Sequence, residues 1–295
     1  MSDTRAVAVV GAGTMGVGIS YVLAAAGCST TVVEPDAVRA RALQGVLVAQ
    51  AEQGRIRGKL TDEQAQAIPD RVQVVGSCAE LAEGLDLVVE SVPERLELKH
   101  EVLAQCAARR PRLLATGTSA LSVDDLAARL PAPQDFLGLH FFNPVWSLHL
   151  LEIVRGAKTS DAALATAQGF ADLLGKRAIV VRDAPGFATS RLDVVTALEA
   201  MRMVQDGVAN AQDIDLAMTT AYRHPMGPLR LSDVVGLDVR LDIARNLEQV
   251  YGERFAPPAV LVDLVGAGHL GRKSGQGFFT WSDDTSLIPD PTPHR

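Results

Sequence analysis

No apolar run in this chain approaches the roughly 18 residues that a membrane span requires. Cysteine is scarce as well: Cys28, Cys78 and Cys106 are odd in number, widely spaced and fit no metal-ligand pattern. They read as small buried residues in a reducing compartment. Basic residues do not dominate, with 28 Lys and Arg against 35 Asp and Glu and a net charge of −7. That balance argues against a nucleic-acid or anionic-membrane surface. There is no internal repeat and no low-complexity stretch. Met1-Ser2-Asp3-Thr4-Arg5 leads directly into a strand pattern without an apolar signal segment, so the expected location is cytoplasmic. What remains is an ordinary globular composition, 47% hydrophobic and 21% charged. The 295 residues suit two domains at about 150 residues each.

Residues 6 to 34 carry the densest signal. The apolar strand Ala6-Val7-Ala8-Val9-Val10 runs into Gly11-Ala12-Gly13-Thr14-Met15-Gly16. An alanine-rich helix ends near Gly27, and a second strand, Thr31-Val32-Val33, closes on Glu34. This is a βαβ unit with G-x-G-x-x-G at its first turn. Gly11 permits the tight turn, Gly13 lets the backbone approach a pyrophosphate, and Gly16 allows close helix–strand packing. Thr14 and Met15 open the helix whose free N–H groups and positive end would hold that pyrophosphate. Glu34 lies 18 residues past Gly16, placed to accept the hydroxyls of an adenosine ribose and to repel a 2′-phosphate. The expected cofactor is therefore NAD rather than NADP. Arg39 and Arg41 fall on the next helix and read as part of a solvated face.

Strand and helix signals alternate as far as about residue 183. Short strands are expected at 72–75, 85–90, 113–116, 136–140, 150–154 and 178–181, with a charged helix over about 96–108. Fully apolar strands such as Leu85 to Glu90 belong in a sheet buried on both faces, and the alternation implies a doubly wound sheet. From Pro185 onward the apolar residues recur at helical spacing, with helices expected over 187–206, 211–221, 239–251 and 258–267. Asn210 is the expected N-cap of the second. The fold class is thus α/β: an N-terminal Rossmann-type doubly wound sheet followed by an all-α C-terminal domain. The expected division is a cofactor domain over 1–184 with a helical hairpin inserted at about 45–68, an all-helical substrate and dimerisation domain over 185–284, and a proline-rich flexible tail over 285–295.

Ligands bind at the carboxyl ends of parallel strands, which directs attention to Thr116-Gly117-Thr118-Ser119 and His140-Phe141-Phe142-Asn143-Pro144. A histidine beside a dinucleotide site suits a general base, since the ordinary imidazole pKa is about 6.5. Glu152 is an isolated carboxylate among apolar residues, expensive to bury unless paired. Pairing with His140 would fix the imidazole tautomer. Spacing alone favours a structural histidine at 140, with His149 as a nearby alternative.

Five blocks resemble L-3-hydroxyacyl-CoA dehydrogenases, and among them the bacterial 3-hydroxybutyryl-CoA dehydrogenases. They are Val10 to Gly18, Leu139 to Pro144, Asp183-Ala184-Pro185-Gly186-Phe187, His224-Pro225-Met226-Gly227-Pro228 and Gly271 to Phe278. They span about residues 5 to 282 in the family's order. The resemblance implies an NAD-dependent enzyme interconverting L-3-hydroxyacyl-CoA and 3-oxoacyl-CoA, with a homodimer formed by the C-terminal domain. It makes His140 the base, Glu152 its partner and Ser119 the donor to the substrate oxygen. Asn143 falls near the nicotinamide, and Glu94, Lys99 and Lys273 become cofactor contacts; a solvated helix pair is the plainer reading of Glu94 and Lys99.

The chain departs from the family in two places. The family's asparagine before the arginine of its Pro-Gly-Phe segment is Ser190 here, which enters the catalytic set in its place. The family's Asn-Thr-Ser-Ser reads Gly117-Thr118-Ser119-Ala120. For the CoA moiety the helical insertion offers Gln50, Arg55, Arg57 and Lys59, a diffuse basic group with no clean match to the family's serine and lysine. Two alternatives follow: the same chemistry on a carrier-protein-bound or free hydroxy acid, and a cofactor-binding protein with decayed catalysis.

Overall fold

The computed structural model describes residues 4–281; the tail expected at 285–295 lies outside them. Two compact units result, Met1–Phe187 and Ala188–Arg295.

In the first unit, one eight-stranded sheet is built from Ala6–Val10 (β1), Ser29–Val33 (β2), Val72–Val75 (β3), Leu87–Glu90 (β4), Leu114–Thr116 (β5), Phe136–Phe141 (β6), Leu150–Arg155 (β7) and Arg177–Arg182 (β8). The order is β3-β2-β1-β4-β5-β6-β7-β8. Chain order reverses between β1 and β4, the switch point where such sheets open a crevice. Helices Thr14–Ala25 (α1), Ala37–Ile56 (α2), Asp62–Asp70 (α3), Leu96–Ala107 (α4), Val123–Ala127 (α5) and Asp161–Leu173 (α6) cover the sheet.

The double layer follows from the two-residue period of a strand. Val7 and Val9 of β1 pack with Ile19 and Leu23 of α1 and Phe170 of α6. Their neighbours Ala8 and Val10 pack on the opposite face with Leu103 and Cys106 of α4 and Leu126 of α5. All three cysteines are buried thiols.

Two features differ from the sequence reading. The helical hairpin expected at about 45–68 is a pair of helices beginning earlier, because Asp36 caps α2 by accepting from the Val38 and Arg39 N–H groups at 3.0 and 2.8 Å. The sheet also has one antiparallel pair, β6 with β7. Residues 142–149 are too few for the crossover of a dozen or more residues that parallel strands need, so the chain turns back on itself.

The second unit comprises Thr189–Gln205 (α7), Ala211–Ala221 (α8), Pro228–Val235 (α9), Leu237–Tyr251 (α10) and Ala259–Gly266 (α11) around its own apolar cluster. Asn210 caps α8, accepting from the Asp213 N–H at 2.9 Å. The sequence reading did not anticipate α9. It is eight residues long, and its Pro228 reads as a breaker while serving as the first helical residue. Among the described residues no helix is long and apolar enough to cross a membrane.

Candidate active site

The turn after β1 is shaped by close approaches. Gly11 has φ +103°, and a Cβ there would lie 2.7 Å from the Ser91 carbonyl oxygen. A Cβ on Gly16 would lie 1.8 Å from the Gly11 oxygen. Gly13 differs: it is the N-cap of α1, its capping N–H groups have no side-chain partner, and a Cβ there would meet nothing within 4 Å. The helix start is thus exposed backbone next to open space, which suits an anion.

That space belongs to a cavity of about 720 Å³ at the switch point. It brings together Gly11, Gly13, Thr14, Met15, Glu34, Glu94, Lys99 and Ser119. Gly16 lies beneath as the packing surface. NAD fits this cradle: bare amides at one end, a buried acid beside β2, and polar groups after β4 and β5.

Glu34 accepts the Ala12 N–H at 3.0 Å, the Asp36 N–H at 2.9 Å and the Arg39 guanidinium at 3.0 Å. Burial pushes its carboxyl up, but the Arg39 hydrogen bond, the two amides and the Arg39 charge outweigh burial and hold it below its ordinary value. Arg39 is mostly exposed, yet it lines the cavity and pairs with Glu34. The reading of Arg39 as part of a solvated face holds, with the pairing to Glu34 added.

The solvated reading of Lys99 fails. Its side chain is 1% exposed and lies between Glu90, at 2.7 and 2.9 Å, and Glu94, at 3.1 Å. Glu94 in turn accepts from Thr118 Oγ1 at 2.5 Å and from the Ser119 and Ala120 N–H groups at 2.9 and 3.1 Å. Burial raises the Glu94 carboxyl, but the Lys99 charge and these hydrogen bonds bring it below its ordinary value. Sequence reasoning passed over Glu90. The signal was present, since an acid ending an otherwise apolar buried strand needs partners just as Glu152 does.

His140 and Glu152 meet because of the antiparallel pair. Directly opposed residues share a face, and the register sets His140 against Glu152. His140 Nδ1 lies 2.7 Å from Glu152 Oε2, with Glu152 fully buried. A carboxylate only accepts, so Nδ1 is the donor of this pair. The imidazole is flanked by Phe142 and Phe187, with ring centroids 4.5 and 5.7 Å away. Phe187 adopts φ +46°, a region that non-glycine residues seldom occupy.

His140, Glu152 and Asn143 do not line the 720 Å³ cavity. Asn143 is exposed on the loop after β6, and His149 is exposed four residues beyond Val145. Buried Lys176 ties down this loop by donating to the Val145 and Leu148 carbonyls. Ser190 and Lys273 belong to the second unit, where Lys273 pairs with both oxygens of Asp238 at 2.5 Å. The basic group expected for CoA is divided. Arg55 is engaged by Glu52 and Asp62. Gln50, Arg57 and Lys59 line a separate cavity of about 340 Å³ with Tyr21 and Trp146.

Comparison with known proteins gives the family. Residues 6–184 match the family described as 3-hydroxyacyl-CoA dehydrogenase, NAD binding domain, and residues 186–281 match its C-terminal domain. A 3-hydroxybutyryl-CoA dehydrogenase of Mycobacterium tuberculosis is 39% identical over 287 residues, covering 95% of this chain and 100% of the relative. A probable 3-hydroxybutyryl-CoA dehydrogenase of Bacillus subtilis is 35% identical, with 96% and 100% covered. The solved (S)-3-hydroxybutyryl-CoA dehydrogenase of Ralstonia eutropha superposes with a TM-score of 0.90 at 32% identity, covering 95% of this chain and 100% of that one.

Proposed function

Because the chain belongs to the 3-hydroxyacyl-CoA dehydrogenase family and carries its NAD-binding domain, we propose that it interconverts a short L-3-hydroxyacyl-CoA, of the 3-hydroxybutyryl type, with the 3-oxoacyl-CoA. The observation that carries this reading is the His140–Glu152 pair at the carboxyl end of β6. In the oxidative direction His140 Nε2 takes the substrate hydroxyl proton. Glu152 holds Nδ1–H and stabilises the imidazolium that forms, the role of the acid in a triad. Ser119 hydrogen-bonds the substrate oxygen as it becomes a carbonyl. Bound NAD supplies the acceptor for the hydride leaving C3. Glu34 would hold the adenosine ribose, the Gly11–Gly16 turn the pyrophosphate, and Glu94, Lys99, Asn143 and Lys273 the nicotinamide half.

Ser190 would stand where relatives carry an asparagine, adding a shorter hydrogen-bonding arm. The cavity formed by Tyr21, Trp146, Arg57 and Lys59 offers aromatic surface and two cations, suited to part of a CoA thioester and unneeded by a free hydroxy acid. Exposed Leu192, Leu216 and Tyr222 support a homodimer through the C-terminal unit, and three free, buried thiols support a reducing, cytoplasmic location.

The test is oxidation of NADH by acetoacetyl-CoA, run beside NADPH and beside free acetoacetate. CoA-dependent turnover with NADH is expected. NADH binding without turnover would favour a carrier-bound substrate or decayed catalysis, and equal turnover of free acetoacetate would remove the thioester.

A further inference from the structure

Glu90 has no assigned part in the reaction, yet it is fully buried, and its contacts to Thr116 and Lys99 connect it to the turn that carries Ser119. Its Oε1 accepts the Val92 N–H at 2.7 Å, and both oxygens accept Lys99 Nζ. Oε2 also accepts Thr116 Oγ1 at 2.7 Å. Because the Thr116 proton is committed to Glu90, its oxygen lone pair faces the Thr118 N–H at 3.3 Å. Thr118 Oγ1 donates to Glu94 Oε1, which also gathers the Ser119 and Ala120 N–H groups. Lys99 closes the circuit by bridging Glu94 back to Glu90. The Gly117 N–H adds a main-chain tie to the Glu90 carbonyl at 2.8 Å.

From this closed circuit we infer that Glu90 is a positioning residue that sets the 117–120 turn, and with it the Ser119 hydroxyl, before substrate arrives. This rests on the proposed role of Ser119 at the substrate oxygen. The chemistry favours a carboxylate over any neutral isostere. The Glu90 carboxylate accepts four hydrogen bonds from three donors, Val92, Lys99 and Thr116, and donates none. Glutamine would present an NH2 to Lys99, to Thr116 or to the Val92 amide, and in each case one donor faces another. If the NH2 meets Thr116, the hydroxyl must turn its proton away from position 90, which disturbs its alignment with the Thr118 N–H. A preorganised donor acts on the developing charge without reorganising, so a loosened turn weakens the chemical step more than cofactor binding.

The experiment uses Glu90→Gln and, because that change also leaves Lys99 less compensated, Thr116→Val, which keeps the Lys99–Glu90 pair and cuts only the relay. Amide hydrogen exchange of residues 117–121 is read in the NADH-bound enzyme, and kcat and KM for acetoacetyl-CoA are read in both variants, alone and with Ser119→Ala. The expected results are about tenfold faster exchange confined to 117–121, about tenfold lower kcat with KM within about twofold, and no further loss once Ser119 is alanine. Unchanged exchange at 117–121 would overturn the inference. Losses that multiply with Ser119→Ala would do the same, since Glu90 would then act by another route. Wild-type enzyme without turnover would count against the proposed function, and the exchange result alone would then decide the role of Glu90.

Discussion

Gly13 in the first unit and Gly227 and Gly277 in the second occupy family motifs for opposite reasons. In the N-terminal unit Gly13 faces open space, with nothing within 4 Å of a Cβ placed on it. In the C-terminal unit the corresponding space is already filled by a buried aspartate. A Cβ on Gly227 would lie 2.1 Å from Asp215 Cγ, and one on Gly277 would lie 2.2 Å from Asp233 Oδ1. Asp215 accepts the Leu229 and Arg230 N–H groups and so caps α9. Burial raises its carboxyl above the ordinary value despite those two amides and Arg230. Asp233 is fully buried and gathers the Phe278 and Phe279 N–H groups and the Trp281 indole. The segments His224 to Pro228 and Gly271 to Phe278 are therefore built around internal carboxylates. A motif specific enough to mark a family can mark folding rather than chemistry; glycine beside an empty cradle and glycine against a buried acid look alike in sequence.

Gly277→Ala should have the largest effect on the fold, overpacking Asp233 at a cost of about 3 kcal/mol in thermal or urea unfolding. Gly13→Ala should change stability by no more than about 0.5 kcal/mol. It should instead weaken NADH binding about tenfold, near 1.4 kcal/mol, in a fluorescence titration. Equal destabilisation by both would erase the distinction, and unaltered NADH affinity in Gly13→Ala would remove the turn from the pyrophosphate.

A smaller effect tests the acid at the other end of the cradle. The folded-state pKa of Glu34 lies below its ordinary value, so its contribution to stability is full above the unfolded carboxyl range, about 4.3, and is lost as pH falls through the lower folded value. The stability gap between wild type and Glu34→Gln should therefore shrink as pH drops from neutral into that window. A gap independent of pH would mean that the Glu34 charge does not stabilise the turn.

Much of the first unit was legible because local rules and the fold agree there. The run from Ala6 to Glu34 combines an apolar strand, a glycine turn, an alanine-rich helix and a second strand, and each signal is local. The direction of β7 was not legible. Strand periodicity is the same for both directions, and only the shortness of residues 142–149 hints at a return. That direction puts Glu152 opposite His140, so the pair could be suspected from two isolated polar residues but not located. Lys99 and Glu90 were hidden for a related reason: Leu96 to Ala107 looks like a charged surface helix, and only tertiary packing turns its one lysine inward onto the end of β4. In the second unit α9 was missed because Pro228 and Gly227 signal a break, while the acid that caps the helix lies back on α8.

The central claim is that His140, held by Glu152, moves the substrate proton. The most direct measurement is turnover of acetoacetyl-CoA by His140→Gln, with NADH affinity measured on the same preparation. The account predicts a fall in kcat of about a hundredfold to ten-thousandfold with NADH binding unchanged within about twofold, since His140 is not among the residues lining the cofactor cavity. A variant that retains kcat within about a factor of three would contradict it, because no general base can be replaced by an amide at so small a loss.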